Sequence, residues 1–260
     1  MPTIKADDGC ELYVEVSGDA GKPVLMLSNS LGTNLHMWDD QAVEFGKHFR
    51  LIRYDRRGHG QSAVPPGPYR FDRFGRDILA ILDALNVKKT NWCGLSMGGM
   101  DGQWLGANAP DRVEKLVLSN TNFYYADKAP WADRIKFVKE KGLNALVDMN
   151  MQRWFTENFR KTQSAKLARM KEMFVATKVP GYIACCEAIM AMDFRTTNPR
   201  IKAPTLVIVG AQDPATPPSA GEAIAKQILG ARLASIDAAH IANIEQPQAY
   251  TKVVLDFLLG

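Results

Sequence analysis

Cysteine is scarce in this chain. Four residues, Cys10, Cys93, Cys185 and Cys186, are spread over 260 positions, with two adjacent and no C-x-x-C among them. That spacing excludes a disulfide framework and a structural zinc site, and points to free thiols in a reducing cytoplasm. Long apolar runs are missing too: nowhere do about 18 apolar residues follow one another, so no membrane-spanning helix is expected. The opening MPTIKADDGC is too polar to be the apolar core of a secretory signal. An excess of one charge is also absent. Thirty-two basic and 28 acidic residues leave a formal +4, without a dense Lys/Arg block, which argues against a nucleic-acid partner. Histidine is limited to His36, His48, His59 and His240, so chemistry that needs an imidazole has few candidates.

What is there belongs to an ordinary globular chain. The apolar share of 46% and charged share of 23% are ordinary, and the length suits one large domain or a core with an insertion. Two periodicities alternate. Residues 11–16 (ELYVEV) alternate polar and apolar, as a half-buried strand does, whereas 24–27 (VLML) and 51–54 (LIRY) are short apolar runs suited to strands covered on both faces. Between them, 38–48 predicts a helix capped near Asn34, and Phe71, Phe74, Ile78, Ile81, Leu82 and Leu85 form one helical stripe. Further strands are expected at 91–93, 113–119, 204–209 and 232–236, with helices after Ser96 up to Pro110, over 219–229 and over 248–259. Such alternation predicts an α/β fold, a mostly parallel sheet flanked by helices.

Residues 127–196 break the rhythm. They contain no convincing strand, hold six of the eleven Met, and carry thirteen basic against eight acidic residues. The expectation is a helical cap inserted into a core made of 1–126 and 197–260. Its excess positive charge has two readings: a lid suited to an anionic ligand, or a solvated lysine-rich helix face.

The strongest chemical signal is Gly94-Leu95-Ser96-Met97-Gly98, a G-x-S-x-G sequence between a strand and a helix. A turn this sharp lifts a serine hydroxyl above the sheet edge, and small residues on either side avoid collisions with neighbouring backbone. A serine hydroxyl needs a base, and the base needs an orienting acid; in this architecture they follow in the order Ser, acid, His. Asp213, in a loop after the strand VIVG, is the expected acid, and His240 after the last strand is the expected base. Both lie where strand C-termini gather. Asp237, three residues before His240, is a rival acid but is better placed to end a strand. His59 reads as structural, bonding nearby backbone; His48 sits at a helix end; His36 lies near the expected pocket mouth without an assigned role. For the oxyanion of an acyl-transfer intermediate, the expected donors are the backbone N–H of Met97, directly after the serine, and that of Leu31 in the loop Ser28-Asn29-Ser30-Leu31-Gly32-Thr33.

Together these residues resemble the α/β-hydrolase superfamily over essentially the whole chain. Within it, Leu27-Ser28-Asn29-Ser30-Leu31-Gly32-Thr33 stands where most relatives carry a His-Gly pair, and Gly94 to Met100 continues into Gly102-Gln103-Trp104-Leu105-Gly106. With Cys185-Cys186-Glu187-Ala188, Met192-Asp193-Phe194-Arg195 and Ala238 to Pro247, the chain is most similar to the 3-oxoadipate enol-lactonases of the β-ketoadipate route. Arg56 and Asp101 are small departures from the superfamily pattern.

The resemblance implies a small anionic substrate, an enol-lactone with an acetate side chain, opened through an acyl-enzyme on Ser96 without metal or organic cofactor. It also implies that the cap binds the substrate carboxylate. Arg134 is the expected ion-pair partner, with Trp131 and Trp154 as pocket walls; an ordinary surface arginine and cap-core aromatics are the competing reading. Competing functions are a broad carboxylesterase, a C–C hydrolase of ring-fission products, or a ligand sensor that keeps the fold.

Overall fold

The alternation of apolar strands and helices resolves into an eight-stranded sheet. The computed structural model describes residues 3–260. Its strands are β1 (Thr3–Lys5), β2 (Glu11–Ser17), β3 (Val24–Ser28), β4 (Arg50–Tyr54), β5 (Thr90–Leu95), β6 (Val113–Ser119), β7 (Thr205–Gly210) and β8 (Arg232–Ile236). The helices are α1 (Asp39–Gly46), α2 (Phe71–Ala84), α3 (Met97–Asn108), α4 (Ala129–Lys141), α5 (Val147–Trp154), α6 (Glu157–Thr162), α7 (Ser164–Val175), α8 (Val179–Ala191), α9 (Pro218–Gln227), α10 (Ala242–Glu245) and α11 (Pro247–Leu259).

The strand order is β1-β2-β4-β3-β5-β6-β7-β8, antiparallel from β1 to β4 and parallel across every later pair. Runs such as VLMLS in β3 and TLVIVG in β7 are apolar on both sides because helices cover both faces. The period of two sends Leu25 and Leu27 to one face, where they share a core with Phe45 of α1 and Tyr250 and Val254 of α11. Met26 points to the other face, into a core with Ile78 and Ile81 of α2, Leu105 of α3 and Ile224 of α9.

Two elements differ from expectation. The three-residue edge strand β1 is too short to leave a periodic signal. The helix expected over 38–48 is split: the Asn34 side chain accepts the His36 N–H at 3.0 Å and caps a 3-10 turn over Leu35–Trp38, and α1 begins only at Asp39.

Helices α4 to α8 lie between β6 and β7. An antiparallel bridge between Tyr124 and Asp193, with the Phe194 N–H donating to the Phe123 carbonyl at 2.9 Å, draws the ends of this layer together. Helix α8 is apolar almost all round because it is the centre of the layer: Tyr182, Cys185, Cys186 and Ile189 are all buried. Phe174 stands edge-on to both Trp154 and Tyr182, at 5.6 and 5.7 Å. On the outside, Lys166 and Arg169 of α7 pair with Asp40 and Asp39 in the first turn of α1. The four cysteines are free and buried. Among the described residues, no single helix is long and apolar enough to cross a membrane.

Candidate active site

One residue separates β5 from α3, and that residue is Ser96. Its backbone is held at φ 58° and ψ −113°, a left-handed conformation that costs about 1–3 kcal/mol in a residue with a side chain. The surroundings enforce it. The Ser96 N–H donates to the Ser119 carbonyl at 2.8 Å, and the Ser96 carbonyl accepts from the Gly99 N–H at 2.9 Å and the Thr121 hydroxyl at 2.7 Å. Glycine is required on both sides: a methyl group on Gly94 would overlap the Gly98 carbonyl, and one on Gly98 would overlap the Ser28 carbonyl.

The fold brings the three expected side chains together at the C-terminal edge of the sheet. The His240 Nε2 lies 2.9 Å from the Ser96 Oγ, and its Nδ1 lies 2.8 Å from the Asp213 Oδ2. Asp213 and His240 are nearly solvent-free. Burial alone would raise the Asp213 carboxyl, but the His240 imidazole and the bonds from Thr216 outweigh it and hold the group down at about 2. Its Oδ1 accepts the N–H groups of Ala215 and Thr216 at 2.7 and 3.0 Å, and its Oδ2 accepts the Thr216 hydroxyl at 2.7 Å. Asp237 is exposed at the end of β8 and accepts from Gln212 at 2.7 Å, so it takes no part in this chain of bonds.

Asn120 is a member that the sequence did not announce. It follows β6 with φ 45°, and its amide donates to both the Asp213 Oδ2 and the Ala239 carbonyl at 3.1 Å. One side chain therefore fixes the acid and the loop that carries the base. Its position directly after a central parallel strand is the one signal that could have marked it.

The loop after β3 is braced through several of its donors and acceptors. The Ser30 N–H and the Thr33 hydroxyl donate to the Met37 sulfur at 3.3 and 3.1 Å. The Gly32 N–H donates to the His59 Nε2 at 3.0 Å, and Asn29 exchanges bonds with the Tyr54 carbonyl and the Trp38 indole. Between these occupied donors, the N–H of Leu31 has no hydrogen-bond partner among the described residues, and Leu31 lines the cleft with Ser96. Met97, fully buried, is the first residue of α3, where a helix leaves its N–H groups unsatisfied.

His59 is structural as expected, but over a longer range, since it supports the loop 27 residues before it. Burial, and then the neighbouring Arg56 charge, push its imidazole down to about 3. It is therefore neutral and can accept. Arg56 and Asp101, the two departures from the superfamily pattern, form a buried ion pair at 2.8 Å, and the Arg56 Nη2 also donates to the Asn29 carbonyl at 2.9 Å. His36 is not at the cleft. It is exposed on the core surface and pairs with Asp39, while its carbonyl accepts from Arg169. His48 lies two residues beyond α1, against Phe49.

Above Ser96, the helical layer closes a cleft lined by Trp131, Arg134, Arg153, Trp154 and Tyr182, among others. Arg134 donates through Nη1 to the Tyr182 hydroxyl at 2.6 Å and to the Asn150 Oδ1 at 3.0 Å, and stacks over the Trp131 ring at 5.7 Å. Of the cationic side chains in 127–196, only Arg134 and Arg153 line this cleft. Lysines such as Lys136, Lys139 and Lys178 face solvent. The positive charge of the segment is thus divided between two arginines that line the cleft and lysines that face solvent. A larger polar hollow of about 810 Å³ lies outside, between α6 and the start of α11, and contains neither Ser96 nor His240.

A mostly parallel sheet with a serine on a left-handed strand-to-helix turn, hydrogen-bonded to a His–Asp pair from later loops, defines an α/β hydrolase. Residues 23–247 match the family model described as alpha/beta hydrolase fold, and the chain belongs to that family. More particularly, it is a hydrolase of the enol-lactonase type. It is 40% identical to 3-oxoadipate enol-lactonase 2 of Acinetobacter baylyi, over 97% of this chain and 94% of that one. It is 34% identical to 3-oxoadipate enol-lactonase 1 of the same organism, over 96% and 94%. The crystal structure of the enol-lactonase from Burkholderia xenovorans LB400 superposes with a TM-score of 0.97 at 42% identity, covering 100% of both chains.

Proposed function

We propose that this hydrolase opens 3-oxoadipate enol-lactone to 3-oxoadipate in the cytoplasm, as a step of the β-ketoadipate route. Ser96 is the nucleophile. His240 takes its proton as the hydroxyl attacks the lactone carbonyl, and Asp213 holds the imidazole in the tautomer that can accept and stabilises it once charged. The oxyanion forms against the N–H groups of Leu31 and Met97. Ring opening expels an enolate, a better leaving group than an alkoxide, which needs little acid assistance. It takes up the proton held by His240 as it becomes a ketone, which leaves the imidazole free to act as base again. Water activated by His240 then hydrolyses the acyl-enzyme. Every step is carried by side chains and backbone of this chain, and no cofactor enters the scheme.

Residues 127–196 act as the cap over a core of 1–126 and 197–260. Arg134 receives the acetate carboxylate of the substrate, with Trp131 and Trp154 as walls. The observation that carries this reading is the guanidinium pair Arg134 and Arg153 in the same cleft as Ser96 and His240, with no carboxylate of the chain paired to either among the described residues. The names of the relatives at 40% and 34% identity support the choice of lactone. Steady-state hydrolysis of freshly generated enol-lactone, compared with a neutral short-chain ester, tests it. Lactone turnover far more efficient than ester cleavage is expected. Good ester cleavage with slow lactone turnover would keep the serine chemistry and discard the substrate.

A further inference from the structure

The cleft holds two cations, whereas an enol-lactone with one acetate arm supplies one negative charge. Asn150 and Arg153 stand three residues apart on α5, so they share one face of that helix. Asn150 receives Arg134, and Arg153 lines the same cleft while making no ion pair or hydrogen bond among the described residues. The end of α5 is fastened to the loop of His240. The Ile241 N–H donates to the Trp154 carbonyl at 3.0 Å, and the Glu245 carboxylate accepts from the Thr156 hydroxyl and, at 3.0 Å, from the Ala239 N–H. Arg153 is thus the cation carried at the end of α5 that is fastened to the His240 loop, and it lines the cleft of Ser96 and His240. Arg134 is fastened instead to Tyr182.

We infer that Arg153 is a second carboxylate site, which receives the carboxylate generated at the Ser96 end of the ligand, so that the pocket binds linear dicarboxylates in preference to monocarboxylates. This deepens the lactone-opening reading and rests on it for the origin of the second carboxylate. Two guanidinium groups in one half-buried cleft repel each other. Burial, and then the Arg134 charge, lower the Arg153 pKa, and a ligand with an anion at each end relieves both penalties. A ligand with one carboxylate satisfies Arg134 alone. Hydrolysis adds the second carboxylate at the carbonyl carbon that Ser96 held, on the Arg153 side, which makes the product a better ligand than the substrate.

The test is equilibrium titration of the wild-type enzyme with adipate and with hexanoate, which have equal chain length and differ by one carboxylate. Adipate is expected to bind about tenfold more tightly or better, which corresponds to roughly 1.4 kcal/mol. Arg153→Gln should remove that preference by weakening adipate alone, Arg153→Lys should retain part of it, and Arg134→Gln should weaken both ligands. Equal binding of the two acids by the wild-type enzyme, binding of neither, or a preference that survives in Arg153→Gln would overturn the inference. Titration needs no turnover, so loss of lactone hydrolysis would count against the proposed substrate and leave the dicarboxylate result to be judged separately.

Discussion

Acidification penalises one buried side chain in the folded protein that carries no such penalty in the unfolded chain. His59 is solvent-free and accepts the Gly32 N–H through Nε2, and its pKa is lowered from 6.5 to about 3 by burial and by Arg56. Below pH 6.5 the unfolded chain takes up a proton there, and the folded protein does not until about pH 3. The unfolded state binds more protons throughout that window, so stability falls as the pH falls, by about 1.4 kcal/mol per pH unit. Between about pH 6.5 and about pH 5 the loss is roughly 2 kcal/mol. Other groups also respond to acid, so the perturbation must isolate one group. His59→Gln does so, because its amide oxygen can accept the Gly32 N–H but cannot take a proton. Urea unfolding at about pH 7.5 and about pH 5 is the assay. The wild-type protein should lose about 2 kcal/mol more than the variant between the two conditions. Parallel losses would refute the assignment of a neutral, accepting His59 beneath the loop of Leu31.

Three further perturbations test other parts of the site. Arg134→Gln removes a charged donor from the substrate end of the cleft and should raise KM for the anionic lactone about tenfold or more, as loss of a charge-assisted bond does; equal effects on a neutral ester would remove Arg134 from the role of carboxylate partner. Asn120→Ala deletes the bonds to Asp213 and to the Ala239 carbonyl and should lower kcat about tenfold to a hundredfold with KM little changed, whereas an unchanged kcat would show that the donors of Ala215 and Thr216 suffice to orient the acid. Gly98→Ala forces a methyl group onto the Ser28 carbonyl and should destabilise the protein by about 1–3 kcal/mol with loss of turnover; an unaltered Tm would mean that the elbow has more room than its backbone contacts indicate.

The parts legible in the sequence are those that depend on local periodicity and chain order. Apolar runs such as VLMLS and TLVIVG mark central strands because a covered strand needs apolar residues on both faces. Ser96, Asp213 and His240 could be picked out because each follows a recognisable strand, and parallel strands deliver their ends to one edge. What could not be read depends on side-chain direction and distant contact. Arg56 and Asp101 stand 45 residues apart as two unrelated oddities, and only folding shows them to be one ion pair. Arg153 looks like any other cation of a positive segment. Only the folded chain places it at the cleft of Ser96, on a helix whose end bonds to the His240 loop through the Trp154 carbonyl and the Ile241 N–H. Asn120 reaches Asp213 across 93 residues, a pairing that no local pattern encodes.

Packing also ties recognition to catalysis. The Glu245 carboxylate and the Ile241 N–H connect the end of α5 to the residues on either side of His240. A displacement of α5 is therefore expected to reach the base, and because catalytic geometry is exacting, a shift of even about 1 Å should be felt in turnover.

The central claim is that Ser96 is acylated by the lactone. Rapid-quench intact-mass and peptide-mass analysis of the enzyme during turnover of the enol-lactone, with Ser96→Ala in parallel, tests it most directly. The wild-type protein should gain the mass of one lactone on the peptide that contains Ser96, and the variant should show neither the adduct nor turnover. Turnover that persists in Ser96→Ala, or an adduct located on another residue, would contradict the account.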